Sequence, residues 1–137
     1  SKKLYYIDTF SLKLRAYDFD LNSGQFSNEV VLLEYPKANG YLDGMTIDAD
    51  DKLWISIWGA GKVIRFCPIM KRIIGEVIIN AKQPTSVVFA GKNLEKLFIT
   101  SARVGIDKNI LKENPEEGSI FVVDPNSRGT QNNPFQY

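Results

Sequence analysis

Short runs of alternating apolar and polar residues fill most of the chain. From Leu12 to Phe19, Leu12, Leu14 and Ala16 are set against Lys13 and Arg15. Lys62 to Pro68 and Ser119 to Pro125 have the same character. The three runs end at Asn22-Ser23-Gly24, Pro68-Ile69-Met70-Lys71 and Pro125-Asn126-Ser127-Arg128-Gly129. β-rich runs bounded by Gly, Pro, Asn and Asp predict strands joined by tight turns. Each is preceded by a related run: Lys3-Leu4-Tyr5-Tyr6-Ile7-Asp8, Lys52-Leu53-Trp54-Ile55-Ser56-Ile57 and Lys96-Leu97-Phe98-Ile99-Thr100-Ser101. Leucine, an aromatic residue and isoleucine recur in all three, with leucines at 4, 53 and 97, so 49 and 44 residues apart.

That period, made of short strands, is the signature of four-stranded propeller blades. Labelling strands A to D outward from the central channel, one blade is whole, with A at about 44–48, B at 52–57, C at 62–67 and D at 73–79. The blade before it has B, C and D, ending near Leu33, but no A. The blade after it has A at 85–89, B at 96–101 and C at 119–124. The expected division is 1–36, 43–80 and 84–137, the last with an insert over 103–117 and a tail to Tyr137. The predicted fold is therefore all-β, about three blades forming the C-terminal half of a propeller. A first blade without its inner strand exposes an unpaired edge, and three blades do not close a ring of four to eight. The chain is expected to be stable only with the missing half, supplied by the same chain, a second chain or self-association.

Composition narrows the chemistry. The 137 residues contain no histidine and one cysteine, Cys67. Ser-His and Cys-His nucleophile pairs and His-ligated zinc are thereby excluded within this chain. A lone cysteine fits a reducing, cytoplasmic setting, and Cys67 is expected to be a small buried hydrophobe. A formal net charge of +1 gives no field for nucleic acid or an anionic membrane, and no apolar run approaches the ~20 residues of a spanning helix. Carboxylates, hydroxyls, amides and carbonyls remain.

Strand direction gathers the A-strand starts and the B–C loops at one end of the blades. Asp43, beside Gly44 at the start of an A strand, then stands at the channel mouth. A carboxylate there is costly unless paired or bound to a metal, although Asp-Gly also serves simply as a turn. Trp58, Thr85, Ser86, Arg103 and Asp107 fall at the same end. For Trp58, Arg103 and Asp107 the alternatives are a substrate lid or ordinary loop packing and solvated charge. For Thr85 and Ser86 they are channel lining or local caps. Asp48, Asp50 and Asp51 fall at the opposite end, lack the central glycine and closing glutamate of a calcium loop, and are expected to be turn residues. Tyr5, Trp54 and Phe98 share one repeat position and are expected to pack between blades.

The segments Tyr5-Tyr6-Ile7-Asp8-Thr9, Ala16-Tyr17-Asp18-Phe19-Asp20, Asp43-Gly44-Met45-Thr46-Ile47-Asp48, Lys52-Leu53-Trp54-Ile55, Val63-Ile64-Arg65-Phe66 and Phe89-Ala90-Gly91-Lys92-Asn93 resemble, in order and spacing, the regucalcin (senescence marker protein), gluconolactonase and luciferin-regenerating enzyme family. The likeness runs from Ser1 to about Val123. It implies a six-bladed propeller with one divalent metal on its axis, held by a glutamate, an asparagine and an aspartate. The aspartate, also the catalytic acid/base, matches Asp43; the other two ligands have no counterpart in these residues. The expected metal is Ca²⁺, with Zn²⁺, Mn²⁺ or Mg²⁺ as alternatives. The implied function is hydrolysis of sugar lactones of the D-glucono-1,5-lactone class. The other readings are a calcium-binding regulatory protein and a luciferin-regenerating or organophosphate-hydrolysing enzyme on the same site.

Overall fold

A computed structural model describes residues 2–131. Among these residues, ten strands form three antiparallel sheets in chain order. The first sheet contains β1 (Lys2–Asp8), β2 (Lys13–Phe19) and β3 (Phe26–Glu34). The second contains β4 (Tyr41–Ile47), β5 (Leu53–Trp58), β6 (Lys62–Cys67) and β7 (Arg72–Ile78). In the third, β8 (Gln83–Ala90) pairs with β9 (Lys96–Ala102), and β9 with β10 (Ile120–Val123). The predicted strands thus form, with ends shifted by a few residues. The part of the tail over 132–137 lies outside the described residues.

Alternation along each strand decides what it buries. On β5, Leu53, Ile55 and Ile57 point into a core shared with the first sheet, together with Leu14, Tyr35, Leu42, Ile64 and Phe66. Trp54, between them, points the other way into a second core with Val63, Val87, Phe89, Leu97 and Ile99 of the second and third sheets. The Trp54 and Phe89 rings meet edge to face at 6.0 Å. Tyr5 packs on the first core. Phe98 pairs with Val88 and Val122, which are 48% and 52% exposed. The repeat position therefore faces the next sheet from the first and second sheets, and on the third sheet it faces outward. Cys67 is buried and free, as expected.

The insert contains a helix that strand periodicity did not foreshadow, α1 (Lys108–Glu113). Asp107 is its N-cap, accepting from Asn109 N at 2.8 Å, a local structural role that satisfies an end N–H of the helix. Both ends of the insert are tied down. Gln83 donates to Val104 O at 2.9 Å and accepts from Val104 N at 3.0 Å, and the buried Glu117 carboxylate accepts from Lys82 N at 3.1 and 2.9 Å. No helix among the described residues is long and apolar enough to cross a membrane.

Candidate functional site

β4 is the inner strand of the second sheet, and its ladder to β5 is broken at one place. Leu42 pairs with Ile57 and Met45 with Ile55, so Asp43 and Gly44 together oppose Ser56. Such a bulge lifts its residues out of the ladder and re-aims their side chains, a device common beside active sites. Asp43 lines a cleft of about 540 Å³ together with Thr9, Phe10, Leu12, Lys37, Tyr41 and Trp58. The Tyr41 and Trp58 rings meet edge to face at 5.9 Å. The β1–β2 turn, the β5 end and the β4 start therefore meet at one end of the sheets, as strand direction required.

Asp43 is half-buried. Burial pushes its carboxyl above the ordinary aspartate value, and the N–H of Gly44 opposes that rise only in part. Among the described residues no ion pair involves Asp43, and Lys37 lines the same cleft without forming one. A partly desolvated carboxylate without a cation is what a hard, oxygen-seeking divalent ion neutralises, so the donor chemistry fits. It fits as one ligand of a set, because no cluster of three or more His, Cys, Asp or Glu side chains suited to a metal occurs among the described residues.

The other candidates separate. Trp58 stands on the cleft wall with Asp43. Thr85 forms a hydroxyl pair with Thr100 at 2.7 Å and is the extra residue of a second bulge, between Pro84–Ser101 and Ser86–Thr100. Ser86 lies against Gly44 of the neighbouring sheet. Arg103 is exposed and lays its aliphatic stem over Gly118. None of these three lines the Asp43 cleft. A larger hollow of about 650 Å³ lies at the opposite end, beside the β2–β3 turn, where Asp18 is engaged by Lys3 at 2.5 Å and Asn28 at 2.8 Å.

Asp48 does more than the turn expected of it. It shapes a turn, as expected, accepting from Asp50 N at 3.0 Å and Lys52 N at 2.9 Å. It is also fully buried, and its other oxygen accepts from Trp54 Nε1 at 2.9 Å, Arg65 Nε at 2.8 Å and Ser127 Oγ at 3.1 Å. Arg65 Nη2 lies 2.6 Å from it, with the guanidinium 5.6 Å from the Trp54 ring centroid. Burial alone raises the Asp48 pKa, but the Lys52, Trp54, Arg65 and Ser127 hydrogen bonds outweigh it and leave it below the ordinary value. The signal was a carboxylate, an indole and a guanidinium at the same end of three successive strands. It was hidden because Ser127 lies 79 residues away.

This fold and site define a class. Residues 1–103 match the family model described as the SMP-30/Gluconolactonase/LRE-like region, and the chain belongs to that family. Its arrangement of three sheets is that of a partial β-propeller. Human regucalcin is 38% identical over 122 residues, covering 89% of this chain and 41% of that protein. Zebrafish (Danio rerio) regucalcin is 37% identical over 119 residues, covering 87% and 40%. Among solved structures, a luciferin-regenerating enzyme aligns at 29% identity and TM-score 0.80 over 94% of this chain and 43% of its own. The regucalcin of Agrobacterium tumefaciens, described as a calcium-binding protein, aligns at 27% identity and TM-score 0.87 over 93% and 43%. The chain spans about two fifths of the length of these relatives.

Proposed function

We propose that the chain contributes to a six-bladed propeller of the cytoplasm that hydrolyses sugar lactones of the glucono-1,5-lactone class with one divalent metal, Ca²⁺ before Zn²⁺, Mn²⁺ or Mg²⁺. The observation that carries this reading is the Asp43 carboxylate, which stands on a bulge in an aromatic-walled cleft with its pKa raised by burial and, among the described residues, no cation paired to it. Asp43 would hold the metal through its carboxylate, with co-ligands from the remaining blades. When bound, the ion supplies Lewis acidity that polarises the lactone carbonyl.

The proton work belongs to Asp43. Its carboxylate takes a proton from the attacking water as that oxygen bonds to the carbonyl carbon. It returns the proton to the ring oxygen as the ring C–O bond breaks, leaving an open hydroxy acid. Tyr41, Trp58 and Phe10 offer apolar faces that flank a sugar ring. The other blades are proposed to come from the N-terminal part of the protein, on the same or a separate chain. Two features support this. β1 is an end strand of its sheet, whereas β5 and β9, which hold the same repeat position, are each flanked by an inner strand, β4 or β8, and Phe98, Val88 and Val122 present an apolar outer face on the third sheet.

The test is Asp43→Asn in the complete protein, assayed for lactone hydrolysis with each of the four ions. A fall of about 10²-fold or more is expected from the loss of a general base. Undiminished metal-dependent turnover would remove Asp43 from the mechanism. A second reading, calcium binding without turnover, is favoured by the calcium-binding description of the Agrobacterium relative. Calcium binding that depends on Asp43, with no hydrolysis under any ion, would select it.

A further inference from the structure

The inner strands β4 and β8 lie side by side, and each carries its bulge at the same level. Gly44 on one faces Ser86 on the other. A Cβ built on Gly44 would stand 2.6 Å from Ser86 Oγ and 2.8 Å from both Ser86 Cα and Cβ. Those distances lie below any real Cβ contact, so no side chain fits there unless something moves. The Gly44 backbone is not in the left-handed region, so its conformation is open to any residue. The missing side chain serves space alone.

Ser86 is the less free of the two partners. It is in register with Thr100, and Val87 after it with Ile99. Its carbonyl accepts from Thr100 Oγ1 at 3.4 Å, and that hydroxyl is itself paired with Thr85. Val87 is buried in the second core. Asp43 and Gly44 have no such hold, because the bulge takes both out of register with β5. A side chain at 44 therefore moves the bulge, and Asp43 moves with it.

We infer that Gly44 and Ser86 are positioning residues whose contact sets where the Asp43 carboxylate stands in its cleft. This rests on the reading of Asp43 as a metal ligand. Supporting contacts of this kind are worth about 10- to 100-fold in metal affinity.

The test is calorimetric titration of the complete protein with Ca²⁺ alone, with circular dichroism to confirm folding. Gly44→Ala is expected to weaken binding about 10- to 100-fold. Adding Ser86→Ala, which keeps the Cβ contact, leaves it as weak. Adding Ser86→Gly, which removes two of the three close contacts and leaves Cα on a backbone freer to yield, restores at least about threefold, the size of a modest coupling between contacting residues. If Gly44→Ala fails to fold, Ser86→Val applies the same pressure from the other strand and is expected to show the same loss. Wild-type affinity in a folded Gly44→Ala or Ser86→Val protein, with Asp43→Asn impaired, overturns the positioning role alone. So does equal recovery by Ser86→Ala and Ser86→Gly. A wild type that binds no Ca²⁺, or an Asp43→Asn variant that binds like it, overturns the reading of Asp43 beneath it.

Discussion

Asp48→Asn is the substitution with the largest effect on stability that the structure foresees outside the apolar cores. The amide keeps one oxygen for the N–H groups of Asp50 and Lys52, which the carboxylate serves at 3.0 and 2.9 Å. On the other side it places an NH₂ against three donors, from Trp54, Arg65 and Ser127. Trp54 is 3% exposed, so its indole N–H is left without an acceptor or water, at a cost of about 1–3 kcal/mol. Breaking a fully buried ion pair costs about 3–5 kcal/mol. That figure needs a discount, since the Arg65 side chain is 24% exposed and keeps Asp50 at 3.1 Å. A net loss of about 2–4 kcal/mol follows, a large part of the 5–15 kcal/mol that holds a typical domain. Urea unfolding of the complete protein, followed by tryptophan fluorescence and far-UV circular dichroism, measures it. Pairing the change with Arg65→Met, which removes the orphaned charge, should cost less than the sum of the two single changes. A loss below about 1 kcal/mol, the scale of a surface pair, or strict additivity of the double change would refute the reading of Asp48 as a buried hub.

Two further outcomes follow from the same geometry. Ser56 is fully buried, opposes the Asp43–Gly44 bulge, and its hydroxyl has no hydrogen-bond partner among the described residues; Ser56→Ala should be neutral or stabilising by up to about 1–3 kcal/mol, the cost of an unmet buried hydroxyl, and a clear destabilisation in urea melts would contradict that. The pH dependence of stability should carry two opposite signatures. Asp48 has its folded pKa below the ordinary 3.8, so its stabilisation is present above that value and is lost as pH falls through the folded pKa; Asp48→Asn should flatten that acid limb. Asp43 has its folded pKa above 3.8, so its contribution is present below 3.8 and is lost as pH rises through the folded value. Metal-free Asp43→Asn should therefore gain stability over wild type above that window, and an unchanged or lowered melting temperature at neutral pH would count against a desolvated, unpaired Asp43.

What was legible in the sequence is local. The recurring leucine, aromatic and isoleucine mark β1, β5 and β9 because alternate residues of each face a core between sheets, on both faces in β5 and on one face in β1 and β9, so their pattern survives in composition. Strand direction alone brought Asp43 and Trp58 to one end. What stayed hidden depends on register or on distant partners. The bulge at Asp43 and Gly44 exists only relative to β5, where two residues oppose Ser56. The fit of Gly44 against Ser86 needs two strands of different sheets. Asp48 reads as a turn residue because its turn bonds are local, while Trp54, Arg65 and Ser127 approach it from two strands and a later loop. Helix α1 went unforeseen because six residues with an Asp107 cap carry too little periodicity to stand out.

The most direct measurement of the role assigned to Asp43 is anomalous diffraction from a crystal of the complete protein loaded with Ca²⁺, or with Mn²⁺ in its place. The expected result is a single strong peak in the cleft between Thr9, Tyr41 and Trp58, with an Asp43 carboxylate oxygen at about 2.0–2.6 Å. A metal seated elsewhere, or one in the cleft that Asp43 does not touch, would contradict it.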